Sequence, residues 1–470
     1  MIQLGISFLP FLLLFYFLYR ALEEPVFFMG IPFLMFLKNS IFFEKIRIFS
    51  ETVNIFTYPV KYEIGSDIHL FAWLIIFWII YIIRSKKSSF IERDNSLSVF
   101  KLNILDYCII GLLVISVVGL IMVLNDYYVI DNVFEEFFTL ISLFIGYFIM
   151  KSIVNYNKLE TLSDFLFNIV LVNSIASCLY IIHQGLHIVL YQGEEYNVTI
   201  VMGEEISRTF WFAPVLWFFS VSYLLVFKKI KSPLVIGLLG INMLAIFLSY
   251  TRSALITTFI LIILYYFLFA LKNRDYSGLI KNIFIGGIFS FVFFLGVSYF
   301  LPASTNYFID RFDEIKIDPN DKQSNTLIYR FSRTSDVIGD LIDDNKSIYG
   351  FGPVTETQLP QVDVMRAVTA DMVWTGVIFR WGYVGFVLFV ILYLGSLIKA
   401  FNLFIKNEGI MSKWGLLFFL IIISQVLESF VSWTFFSDGR FPLGLWYLGI
   451  LSGLVYINKK ANKITEYSID

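Results

Sequence analysis

The chain has 470 residues, 58% of them hydrophobic and 15% charged, where soluble domains carry about 45–50% and about 25%. No soluble core could take in that much apolar surface, whereas lipid can, and a net charge of -2 gives no basic footprint for nucleic acid. The two cysteines, Cys108 and Cys178, lie in apolar runs and read as small core residues, not as a disulfide framework.

A bilayer core about 30 Å thick asks for roughly 20 apolar residues per helix. In chain order, such runs fall at 2–19, 25–37, 68–83, 104–124, 134–150, 165–190 and 209–227. They continue at 233–249, 253–271, 280–300, 372–397, 414–436 and 441–457. The runs predict an all-α integral membrane protein with about 13 transmembrane helices, within a range of about 12–14. No basic stretch precedes the first run and no small-residue cleavage site follows it, so it reads as a retained helix. The second run is short and reads as a span or as a re-entrant or interfacial piece.

Basic residues in the short loops assign the sides. One set of alternate loops and helix ends, from Arg84 through Lys151, Lys228, Lys272 and Lys399 to Lys463, holds 19 Lys and Arg. The opposite short loops hold three, Arg208, Arg252 and Arg440. The first set is expected in the cytoplasm, with the C-terminus, and an odd number of spans puts the N-terminus outside. Helices in 1–300 then lead to one large extracytoplasmic loop, 301–371, followed by further helices in 372–470. That loop carries 12 acidic and 7 basic residues. Within 330–348, Val337, Ile338, Leu341 and Ile342 recur at helical spacing, and Gly350–Pro353 breaks the pattern. A short amphipathic helix over the outer mouth is expected.

Few cations stand on the outer face, so each asks for a reason. Arg208 opens the segment RTFWFAP at the start of a predicted helix, and Arg252 sits in a tight turn, SYTRSAL. Arg380 lies about two turns inside the 372–397 span. A charge within a membrane segment is costly and marks a candidate site; the plainer reading is a snorkelling side chain or an interhelical ion pair. A guanidinium fork binds phosphate oxygens in pairs and stays charged, so several arginines around one mouth suit a pyrophosphate. Arg330 and Arg333 on the loop could close over the same group, or simply face solvent. Arg440 reads as an interfacial anchor. His183 and His187 share a predicted helix face but lack a third ligand, and Asp340, Asp343 and Asp344 read as a solvated acidic face. Glu428 and Asp106 are intramembrane acids that could pair with an Arg or serve an ion path in a transporter. No Walker loop, dinucleotide motif, zinc spacing or Gly-x-Ser-x-Gly occurs, so no metal, nucleotide or other cofactor is expected.

From Ile206 to about Val390 the chain resembles the O-antigen polymerase and O-antigen ligase superfamily. Three pieces carry the resemblance: RTFWFAP from Arg208, SYTRSAL with Arg252, and the loop segment RFSRTSDVIGDLIDDNKSIYGFG followed by DMVWTGVIFRWGYVG. Outside this part, somewhat under half the chain, only hydropathy agrees. In the ligase branch the polar residue before the last of these helices is typically His, and here the matching residue is Asp371. The resemblance therefore implies a polymerase of polyprenyl-pyrophosphate-linked oligosaccharide repeats, acting on the outer face of a bacterial cytoplasmic membrane. It implies a glycosyltransferase that needs neither nucleotide nor metal, with Asp371 as the acceptor base and Arg252 as the catalytic cation. Asp371 could equally be a helix cap ahead of Met372. The implied partners are the lipid-linked glycans, membrane lipids, a chain-length regulator and a flippase. A ligase-type glycan transferase and a transporter of lipid-linked sugars are the alternatives.

Overall fold

The computed structural model describes residues 2–30, 46–48, 51–53, 66–87, 101–125, 131–154, 158–186, 188, 196–208, 215–228, 232–313, 326–353, 373–430 and 442–467. Its helices in chain order are α1 (Ile2–Ala21), α2 (Ser66–Lys87), α3 (Ile104–Asn125), α4 (Asp131–Ser152), α5 (Leu159–Gly185), α6 (Val215–Phe227) and α7 (Pro233–Leu248). There follow α8 (Arg252–Asn273), α9 (Tyr276–Phe300), α10 (Pro302–Asp313), α11 (Thr326–Asp343), α12 (Val373–Lys406), α13 (Gly409–Glu428) and α14 (Pro442–Tyr467). Six of them, α3, α5, α8, α9, α12 and α13, are long and apolar enough to cross a bilayer, and shorter apolar stretches lie in α1, α2, α4, α6 and α7. The chain is a multi-pass, predominantly helical membrane protein.

The apolar helices overlap the predicted runs, though α12 and α14 run nine and ten residues further and α13 ends eight residues earlier, and three further differences stand out. The described part of the second run is a 3-10 helix, Pro25–Met29, and not a spanning α-helix. Two small antiparallel hairpins interrupt the all-α pattern: β1 (Ile46–Ile48) with β2 (Glu51–Val53), and β3 (Tyr196–Val201) with β4 (Glu204–Arg208). The predicted loop 301–371 contains α10 as well as the expected amphipathic helix, which runs over Thr326–Asp343.

Helix contacts are built from small residues and polar groups, because lipid gives no hydrophobic drive for helices to associate. Gly449 and Gly453 of α14 lie against the backbone of α4: a Cβ on Gly453 would stand 2.8 Å from the Lys151 carbonyl oxygen, and one on Gly449 would strike that of Tyr147. At the same crossing Lys151 and Asp106 form an ion pair of 2.7 Å with no exposed surface. Tyr147 Oη and Ser452 Oγ donate to the same carboxylate at 2.8 and 3.0 Å, and the backbone N–H of Asn103 donates at 2.6 Å. A second polar cluster ties α5, α6 and α7: Asn173 Nδ2 donates to Ser220 Oγ at 2.8 Å and to Asn242 Oδ1 at 3.1 Å, and Asn242 Nδ2 donates to Ser174 Oγ at 2.9 Å. By contrast α9 shows its side chains outward, with Ile280 72% and Phe284 69% exposed; water would penalise that surface and lipid does not.

Helix ends sort to two faces. At one, Lys272 near the end of α8 donates to Phe404 O at 2.7 Å and to Ser412 Oγ at 2.5 Å, joining it to the end of α12 and the start of α13. At the other, the start of α12 meets the end of α13 through Val373 N to Ser429 O, 3.2 Å. Helices α12 and α13 therefore run in opposite directions, as consecutive spans must.

Candidate functional site

Toward the second face lie the described elements that bear Arg208, Arg252, Arg330, Arg333 and Arg380. Arg252 is the first residue of α8, entered through Tyr250 at φ 51°. One residue on, Ser253 Oγ donates to Glu428 Oε2 at 3.3 Å, and one turn on, Thr257 Oγ1 donates to Glu428 Oε1 at 3.0 Å. Glu428 closes α13 and is 1% exposed. Its carboxyl thus lies at the N-terminal end of α8, where the helix dipole favours it, and at the C-terminal end of its own helix, where the dipole opposes it. The two donors on α8 join the ends of the two helices at the point where Arg252 begins.

Arg208 is placed differently from expectation. It ends strand β4, paired with Tyr196, and does not start a helix; α6 begins only at Val215. The physical reason is the Met202–Gly203 turn, with both residues at positive φ, which folds 196–208 into a hairpin before the apolar run takes over. That hairpin packs on α10. Tyr250 Oη in turn donates to Ser304 Oγ of α10 at 2.9 Å, and its ring stands edge-on to Tyr307. Strand β4 and the start of α8 are in this way held by a common neighbour.

Arg380 occupies a break in α12. Gly382 has φ 61° and ψ -163°, so the helix is interrupted between its two halves; that backbone region is essentially open to Gly alone. The segment after α11 repairs the break. Phe351 N and Gly352 N donate to Phe379 O and Arg380 O at 2.7 and 3.1 Å, while Tyr383 N and Val384 N donate to Ser347 O and Ile348 O at 2.9 and 3.3 Å. Non-helical backbone at membrane depth survives only where protein satisfies it, and here two carbonyls and two amides of α12 bond to the loop. Space for the exchange exists because Gly352 stacks on Gly119 of α3: a Cβ on Gly352 would stand 2.7 Å from the Gly119 carbonyl oxygen.

The loop helix α11, which bears Arg330 and Arg333, seats on this construction through Val337 and Leu341, which pack with Val123, Phe351, Ile378 and Phe379. A hydrogen bond of 2.8 Å joins the Thr334 and Thr375 hydroxyls. On the outer side of α11, partial burial, then repulsion from Asp344, Asp336 and Asp343, pushes the Asp340 carboxyl above its usual value. Deprotonation there is opposed by like charge, as on an acidic solvated face.

Asp371 and Arg440 lie outside the described residues, as does His187. Helix α5 ends at Gly185, and His183 Nδ1 stands 3.2 Å from Ile188 O. Asp106 is committed to Lys151, Tyr147, Ser452 and Asn103 near the opposite face, which leaves Glu428 as the acid at the Arg252 end. Sequence reasoning saw Glu428 as a buried acid but not its hydroxyl partners, because Ser253 and Thr257 are more than 170 positions away. Among the described residues no three His, Cys, Asp or Glu side chains group as metal ligands. No protein-family model matches the chain, and no curated protein matches it significantly.

Proposed function

We propose that the chain is a polymerase of oligosaccharide repeats carried on polyprenyl pyrophosphate, working on the outer face of a bacterial cytoplasmic membrane. One observation carries the proposal: the elements that bear Arg208, Arg252, Arg330, Arg333 and Arg380 adjoin one another at a single end of the bundle. Strand β4 and the start of α8 share α10, the start of α8 meets the end of α13, and α13 meets α12, on which α11 rests. An acceptor hydroxyl attacks the sugar carbon that holds the pyrophosphate, the carbon–oxygen bond to the carrier breaks, and negative charge grows on the leaving pyrophosphate. Fixed guanidinium groups stabilise that charge, and Asp371 takes the hydroxyl proton. The buried, fully partnered Asp106–Lys151 pair supplies no open charge path across the membrane, which favours a transferase over a transporter.

The test is the glycan ladder from cells that lack the chain and carry it back as variants. The polymerase predicts a single repeat on its anchor without the protein and long chains with it, and both Arg252→Ala and Arg252→Lys should leave the single repeat, since an ammonium cannot replace the fork. Absence of any surface repeat in the deletion would point to a transporter, and long unattached chains to a ligase.

A further inference from the structure

A cavity that the proposed transfer does not use lies between α1, the 3-10 helix Pro25–Met29 and α5. It holds about 370 Å³, within the range of small-molecule sites, about 300–1,000 Å³. Four aromatic residues line it: Tyr16 and Phe17 of α1, Phe27 of the 3-10 helix and Phe165 of α5. Phe17 stands at 72° to Phe165, Phe27 at 77° to Phe165 and Tyr16 at 86° to Phe27, with centroids 6.2, 5.6 and 6.1 Å apart. Rings set edge to face in this way adjoin as walls instead of stacking. The polar lining sits on α5, where Asp164 and Asn168, one turn apart, are both exposed. The nearby cation is already answered: Arg20 lies over the Phe27 ring, 5.2 Å from its centroid, and pairs with Glu23 at 3.2 Å and Glu24 at 3.7 Å. Together with Asp164 these side chains sum to a charge of -2.

We propose that this cavity binds an organic ammonium group, with the aromatic rings and the Asp164 carboxylate around its charge. The chemistry follows from what the lining offers and lacks. Among the described lining residues there is no Lys, Arg or His, so a phosphate or carboxylate meets Asp164 alone and is repelled. A purely apolar chain suits the rings but offers nothing to the carboxylate. A bare metal ion needs several oxygen ligands, and aromatic walls give none. An alkylated cation uses both kinds of wall: ring faces attract it, as they do quaternary ammonium ligands, and so does the carboxylate. Arg20 over Phe27 shows one ring of this cluster already facing a cation. The ammonium reaches the site either on a lipid headgroup or as a free solute. The site is independent of the pyrophosphate reading, and either can fail without the other.

The full-length protein, purified in a neutral detergent, would be loaded with phosphatidylethanolamine, phosphatidylcholine or phosphatidylglycerol of identical acyl chains. Native mass spectrometry would count the lipid retained. The two ammonium lipids should be retained in preference to the glycerol lipid. Asp164→Asn should reduce that preference about threefold, the order of one exposed ion pair, and Phe165→Leu by about as much for one lost cation–π contact. The preference between headgroups, unlike the total lipid bound, is not moved by a general loss of packing. Tetramethylammonium that displaces phosphatidylcholine and leaves phosphatidylglycerol bound would show that a free ammonium occupies the site. Preference for the ammonium lipids without such displacement would assign the site to a headgroup. Equal retention of all three lipids by the wild-type chain would overturn the proposal, and so would a preference unchanged in both variants. The wild-type comparison decides the matter even where a variant fails to fold.

Discussion

Lys151 and Asp106 are a charge pair that the membrane interior tolerates only because each member answers the other. Lys151 Nζ also donates to the Lys101 carbonyl at 2.9 Å, and two hydroxyls and an amide complete the carboxylate. Lys151→Met removes the ammonium and leaves a buried charge, which costs about 3–5 kcal/mol. The thermal midpoint in detergent should fall sharply, and Asp106→Asn in the same chain should restore most of it. A neutral Lys151→Met would mean that the pair is not ionised. At the opposite face the proposed base gives a different signature. Asp371→Asn keeps capping ability and removes basicity, so polymerisation should slow by about 10²–10⁴-fold with the protein level unchanged. Near-normal chains from Asp371→Asn, together with about 0.5–2 kcal/mol of lost stability in Asp371→Ala, would make Asp371 a cap.

The interrupted helix α12 sets the prediction at the scale of elements. At Gly382 a Cβ would strike the Ile348 carbonyl oxygen, and the backbone angles there are closed to Ala. Gly382→Ala should cost at least about 1–3 kcal/mol in strain and should loosen the 347–352 segment together with α11. Hydrogen exchange at Tyr383 and Val384 would report it, and unchanged protection of those amides would show that the exchange of hydrogen bonds is not what holds the break. The start of α12 was legible in the sequence, because lipid demands a long apolar run, but the helix continues to Lys406, nine residues past the predicted end at 397. The break was not legible: apart from Arg380, residues on both sides of Gly382 stay apolar, and glycine is common in transmembrane helices. Its cause lies in Gly119 and in 347–352, brought there only by folding. The amphipathic spacing of Val337 and Leu341 did announce α11, since one face had to find a partner. The strand that holds Arg208 was missed although its partner carries a signal: Val198 and Ile200 alternate with Asn197 and Thr199 ahead of the Met202–Gly203 turn. The convergence of the arginine-bearing elements was only suggested by the charge count, which speaks of sides and not of neighbours.

For the whole molecule, the two faces make a prediction about side. Cysteines introduced at Ile348 and at Asn407 should differ in reaction with a membrane-impermeant thiol reagent in intact cells made permeable only at the outer barrier. The loop position should label and the Asn407 position, near the Lys272 end of the bundle, should not. The opposite pattern would invert the topology and remove the basis for an outward site.

The hydrogen bonds traded between the loop and α12 also bear on how such a chain can be inherited. Gly119, Gly350, Gly352 and Gly382 occupy one contact, yet they are spread across more than 260 positions of sequence. A recombination event that replaced the loop and left α3 and α12 behind would bring together parts never selected against each other. It would leave backbone groups unanswered within the bilayer. The loop can diversify at its exposed turns, but the stretch from Ser347 to Val384 can change hands only as a block, and only into a recipient whose α3 carries a glycine at the matching depth.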